Sequence, residues 1–134
     1  MKVIESKSFL VPFLPPSMNS MYNILFSQRR VELKPETRLF KTRAKEYIPI
    51  LTPLKDSYLF KLDAVFTYNF FFKNGKLKKV DTQNLMKVLI DAVAEKNGIG
   101  DQYFKFGSYE SYHGDYDKVE CTLSQVTNDS TSTD

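Results

Sequence analysis

The chain has 134 residues, of which 42% are hydrophobic and 26% charged, with one cysteine and no tryptophan. A chain of this size can bury a core without metal or disulfide staples, which excludes a disordered tail protein, a collagen-like rod and a disulfide-rich miniprotein. The net charge is only +3, but residues 1–87 hold 16 Lys/Arg against 7 Asp/Glu, and residues 88–134 hold 3 against 9. That asymmetry suits a polyanionic partner; it is also what plain charge placement can produce. Residues 8–28 are uncharged, yet Pro12, Pro15, Pro16, Asn19 and Asn23 interrupt them, so they do not form the ~20 apolar residues of a membrane helix. Glu5 breaks the start of any signal peptide, and no small-residue cleavage site follows Phe13-Leu14. Cys121 has no partner for an internal disulfide. The expectation is a cytoplasmic protein with no membrane partner.

Residues 3–13 read as a strand, with Pro12 marking its end. Residues 15–20 (Pro-Pro-Ser-Met-Asn-Ser) carry turn chemistry, and residues 21–34 fit no single element, with Arg29 and Arg30 exposed in either case. Pro35 at a first helical position, and Pro49 and Pro53 as stops, predict a helix from Pro35 to about Ile48. Its charged face is Arg38, Lys41, Arg43 and Lys45; Leu39, Phe40, Ala44 and Tyr47 are available to pack. Aromatic and β-branched residues over 58–72 predict a long strand, its aromatics in the core, and Asn74-Gly75 predicts a turn. A helix follows at about 82–96, stopped by Asn97-Gly98. Residues 102–112 and 117–126 read as two strands joined by a hairpin through His113-Gly114-Asp115, with Cys121 a buried small residue. Residues 127–134 read as a disordered polar tail. This order predicts one sheet with helices packed on it.

The second helix is where chemistry concentrates. At ~100° per residue, Asn84, Lys87 and Asp91 fall on one face, Asp81 stands at its mouth, and Asp101 follows after a short loop. Two readings stand side by side. In the first, Asp81 is an N-cap, Lys87 and Asp91 an i,i+4 pair, Asn84 and Glu95 the wet side of an amphipathic helix, and Asp101 a turn residue. In the second, the carboxylates hold Mg²⁺, which favours oxygen ligands and a substrate phosphate. A lysine then offsets charge in the transition state, and Lys73, Lys76, Lys78 and Lys79 hold the substrate backbone. One histidine and one cysteine exclude a zinc finger, and no glycine-rich phosphate loop is present.

The run Asp81-Thr-Gln-Asn84-Leu85-x-Lys87-x3-Asp91-Ala92, with an aspartate after a short loop, resembles the RusA family of Holliday junction resolvases. Upstream, Pro15-Pro16-Ser17-x-Asn19 looks like that family's N-terminal Pro-Pro-Ser-x-Asn element, and the basic helix falls in the expected place. The likeness spans roughly residues 8–125. It implies an α/β fold of the α+β type, one domain over residues 1–126 with a mixed β-sheet and two main helices. It also implies a bacterial or phage-encoded homodimer that nicks four-way DNA junctions symmetrically, in recombination and repair, with Mg²⁺ (Mn²⁺ substituting). By the resemblance, Asp81, Lys87 and Asp101 are catalytic. Asp81, Asp91 and Asp101 supply the metal ligands, with Gln83 and Asn84 beside them; Arg29, Arg30, Lys73, Lys76, Lys78 and Lys79 bind DNA. Gln83 stands where the family usually has a second aspartate. That departure leaves open a branched-DNA-binding protein without catalysis, and a small protein-interaction domain is the reading from a different class.

Overall fold

The computed structural model describes residues 3–15, 22–25, 30–33, 35–51 and 58–127. Its strands and helices run β1 (Val3–Val11), β2 (Tyr22–Leu25), β3 (Arg30–Leu33), α1 (Pro35–Ala44), β4 (Tyr58–Tyr68), α2 (Thr82–Asn97), β5 (Phe104–His113) and β6 (Lys118–Thr127), with a 3-10 turn at Asp101–Tyr103 before β5. One four-stranded sheet has the order β1-β6-β4-β5, and β2 and β3 form a separate antiparallel pair. β4 pairs in parallel with β5 and antiparallel with β6, so the sheet is mixed and the domain is α+β.

β4 explains the layering. Phe60, Leu62, Ala64, Phe66 and Tyr68 alternate inward and are buried, as a period-two strand with one core face requires. They share a core with Leu85, Met86, Val88, Leu89, Ile90, Ala92 and Val93 of α2, and with Phe40 and Ala44 of α1. Fully burying each such large side chain contributes roughly 1.5–3 kcal/mol, which holds both helices on one face of the sheet. Cys121, on β6, joins that core as a buried small residue. Burial pushes its thiol up to about 12.

Two expected boundaries shift, each for a local reason. The first helix ends at Ala44 rather than Ile48, because Pro49 disfavours helical geometry in the residue before it. Its last turn tightens through Tyr47 N–H donating to the Ala44 carbonyl at 2.9 Å; Leu39 is exposed, while Tyr47, partly exposed, packs edge-on against Phe13 at 5.8 Å. β4 stops at Tyr68 because the Asn69 side chain accepts the Phe71 N–H at 2.9 Å and turns the chain. Phe66 and Tyr68 are therefore core, Phe70 is half-buried, and Phe71 and Phe72 are exposed. α2 ends where Asn97-Gly98 predicted. Gly98 N–H reaches Glu95 O at 3.2 Å and Ile99 N–H reaches Ala94 O at 3.0 Å, a Schellman closure.

The expected hairpin between the last two strands is absent. β5 and β6 lie on opposite edges of β4, and residues His113–Asp117 cross the end of β4, where Gly114 N–H donates to Tyr68 O at 3.0 Å. The reason is apolar content. β6 buries Val119, Cys121, Leu123 and Val126, whereas β5 is exposed or half-buried along its length. The strand with the core-facing residues takes the inner position and leaves β5 at the edge. That edge is irregular: one extra β5 residue bulges where Leu62 pairs with Phe106 and Ala64 with Tyr109. The Asp63 carboxylate fills the bulge, accepting from Ser108 N–H at 2.8 Å. A Cβ on Gly107 would come within 2.6 Å of the Leu62 carbonyl oxygen, so only glycine fits there without movement.

Candidate nucleic-acid interface

The polar face of α2 begins at Asp81. Its backbone is extended, and its Oδ1 accepts the Asn84 N–H at 3.2 Å while its carbonyl accepts the Leu85 N–H at 3.2 Å. Asp81 is thus the N-cap of α2, satisfying a donor the helix cannot satisfy itself and placing negative charge at the positive end of the dipole. Along the outward face Gln83 and Lys87 are exposed, and Asn84 and Asp91 are half-buried and engaged. Glu95 continues the same i, i+4 row and is not simply wet. Lys41 of α1 and Lys45, just past its end, both bond its carboxylate, Lys45 at 2.9 Å. Partial burial works to raise its pKa, but the two lysine hydrogen bonds outweigh it and hold Glu95 below the ordinary carboxylate range. Two of the basic residues in and just after α1 are therefore spent inside the fold.

Two of the expected metal ligands, Asp81 and Asp91, are not brought together within one chain. α2 is 16 residues long, and at 1.5 Å per residue that is about 24 Å. Asp81 precedes its first turn, Asp91 lies about 15 Å further along, and Asp101 comes after the helix has ended at Gly98. For Asp101 the backbone alone is described. Ligands of one Mg²⁺ ion lie about 2.0–2.1 Å from it, so one ion cannot take Asp81 together with Asp91. Among the described residues no group of three or more His, Cys, Asp and Glu side chains could hold a metal. The row of polar residues was legible as a stripe; its length along the axis is what separates the carboxylates.

The lysines, in contrast, do gather. Between Tyr68 and Asp81 the chain makes a small hairpin, with Phe71 bridged to Leu77. Phe72 N–H donates to Lys76 O at 2.8 Å and Lys78 N–H to Phe70 O at 2.7 Å. Gly75 turns the tip with φ +84, where a side chain would be strained, and Asn74 Oδ1 accepts the Lys76 N–H at 3.0 Å. Lys73, Lys76, Lys78 and Lys79 ride on this unit, and residues 69–80 contain no Asp or Glu. The hairpin hands the chain directly to Asp81. Thr82 Oγ1 lies 3.5 Å from Ser111 Oγ on β5, and His113 Nδ1, at the end of β5, accepts the Phe70 N–H at 3.1 Å. Hairpin, helix start and strand end thus meet at one corner, and His113 serves as an anchor for the hairpin.

Arg30 opens β3, where only its backbone is described. Arg29, residues 16–19 of the Pro-Pro-Ser-x-Asn element, and the polar tail from residue 128 onward lie outside the described residues. Sequence reasoning missed the exposed Phe71 and Phe72, although Asn69 just before them was a turn signal, and it missed the Lys41–Glu95–Lys45 cluster, which only the packing of α1 on α2 creates. No helix among the described residues is long and apolar enough to cross a membrane. No family model matches the chain, and no curated protein is significantly similar to it in sequence.

Proposed function

We propose that this protein binds branched DNA and, as its resemblance to RusA resolvases implies, is an endonuclease that nicks four-way junctions as a homodimer. One observation carries the reading: a carboxylate-free hairpin with four lysines leads straight into the motif Asp81-x2-Asn84-x2-Lys87-x3-Asp91. Phosphate contacts from such a cluster supply affinity without regard to sequence, and a two-fold dimer matches a substrate cut on two symmetric strands. Lys87, exposed one turn from the helix start, would neutralise charge on the attacked phosphate. The separation of Asp81 from Asp91 along α2, together with Gln83, favours a second reading: binding without cleavage. Under the nuclease reading one Mg²⁺ takes either Asp81 or Asp91 of a chain, with waters and a substrate phosphate completing its shell.

The test is nicking of a labelled four-way junction against a linear duplex, with Mg²⁺ or EDTA, for wild type and Asp81→Asn. Paired metal-dependent nicks on the junction alone, lost in the variant, are the expected result. Junction binding with no cleavage in Mg²⁺ or Mn²⁺ replaces the nuclease with the binding protein. Absence of salt-dependent binding to any DNA leaves the interaction domain.

A further inference from the structure

Three large apolar side chains on a seven-residue hairpin face water: Phe71 is 45% exposed, Phe72 54% and Leu77 64%. None of the three belongs to the buried core. Contiguous exposed apolar side chains, unlike singly scattered ones, mark an interaction surface. This turn is braced by the Phe72–Lys76 and Phe70–Lys78 backbone bonds and by His113, whose ring meets those of Phe70 and Phe71 edge-on at 5.5 and 5.6 Å. Bridge partners share a face of the ladder, so Phe71 and Leu77 lie together, and Phe72 falls on the opposite face with Lys76 and Lys78. The Lys78 ammonium sits 5.8 Å from the Phe72 ring centre, so that ring is an aromatic plane flanked by cations.

We propose that the Phe71–Leu77 hairpin is a binding site for an unpaired nucleotide, whose base stacks on Phe72 while Lys73, Lys76, Lys78 and Lys79 hold the adjoining phosphates. The proposal rests on the DNA reading above and adds what the hairpin recognises: the unstacked base at a branch or in a single strand. Every base has a π-face, so stacking is tolerant of sequence, and lysines around the ring supply the electrostatic half of such sites. An anionic lipid surface also attracts lysine and phenylalanine. Here, however, the leading tip is Lys73-Asn74-Gly75-Lys76 and the rings stand behind it. A hairpin built to enter lipid leads with its apolar groups.

The experiment measures binding of the full chain in EDTA, so that cleavage plays no part. The probes are a thymidine homopolymer of about sixteen nucleotides, a blunt duplex, a junction carrying a fluorescent base analogue at the crossover, and vesicles of anionic phospholipid. Phe72→Ala is expected to weaken single-strand and junction binding about tenfold or more, to leave duplex binding nearly unchanged, and to abolish the fluorescence change of the analogue. Phe72→Tyr is expected to restore all three. Phe72 is exposed, and an unchanged thermal midpoint shows that each variant is folded. Equal losses on duplex and single strand, or no loss on either, overturn the stacking site while the DNA reading stands. Wild type binding no DNA overturns both. Vesicle binding that depends on Phe72, with DNA binding that does not, makes the hairpin a lipid contact instead.

Discussion

Asp81 holds the first turn of α2 and, under the nuclease reading, also a metal. Substitution chemistry can separate the two roles, because the cap needs a side-chain oxygen and the metal needs a charge. Asp81→Ala is expected to lower stability by ~1 kcal/mol, since it orphans the Asn84 N–H, while Asp81→Asn keeps an acceptor and stays within a few tenths of wild type. Urea denaturation of the three proteins checks this. A loss in Asp81→Asn as large as in Asp81→Ala would mean that the charge at the helix dipole, not the hydrogen bond, does the capping. Activity lost in Asp81→Asn at unchanged stability is then a statement about chemistry. The cap was legible in the sequence, because an aspartate directly before an apolar-periodic run is a local signal for a helix start.

At the scale of elements, α1 is tied to α2 by Lys41 and Lys45 on Glu95. The folded pKa of Glu95 is lowered, so its contribution is complete above the ordinary carboxylate range and is lost as pH falls through the folded value. Glu95 is close to half exposed, so screening limits the worth of these contacts to under about 1 kcal/mol. Glu95→Gln is therefore expected to be slightly less stable than wild type at neutral pH and equal to it in acid, read as a gap between two stability–pH curves that closes on acidification. A gap that persists in acid would assign the effect to packing. The same scale shows where sequence reading stopped. Pro35, Asn69, Gly75 and Gly98 are local signals, and elements begin, turn and end at them. The order β6-β4-β5 is not local. It depends on which of two strand-like runs carries enough apolar side chains for the inner position, and β5, with Phe106, Tyr109 and Tyr112 among its ten residues, looks as apolar as β6 until the faces are assigned. Likewise the α2 stripe was correctly placed on one face, but a face has length, and angular position alone hid the axial spread of its carboxylates.

For the whole molecule, the basic excess of residues 1–87 divides into charges the fold consumes and charges it presents. Lys41 and Lys45 are consumed by Glu95. Among the described residues, Lys73, Lys76, Lys78 and Lys79 have no carboxylate partner, and Lys78 instead leans on Phe72. If those four are the phosphate contacts, they release counterions on binding, and each contributes about 0.9 to the slope of log affinity against log salt on duplex. Replacing Lys76 and Lys79, both exposed, by alanine is then expected to flatten that slope by about 1.8 on a duplex. The same pair should also weaken binding to duplex and junction by similar factors. The ratio of junction to duplex affinity should survive, because phosphates are common to both forms and unstacked bases are not. Titrations of both DNA forms across a salt series measure slope and ratio together. An unchanged slope moves the phosphate contacts off the hairpin; a collapsed ratio at a flattened slope means that the lysines themselves read the branch, which removes the division of labour between charge and ring.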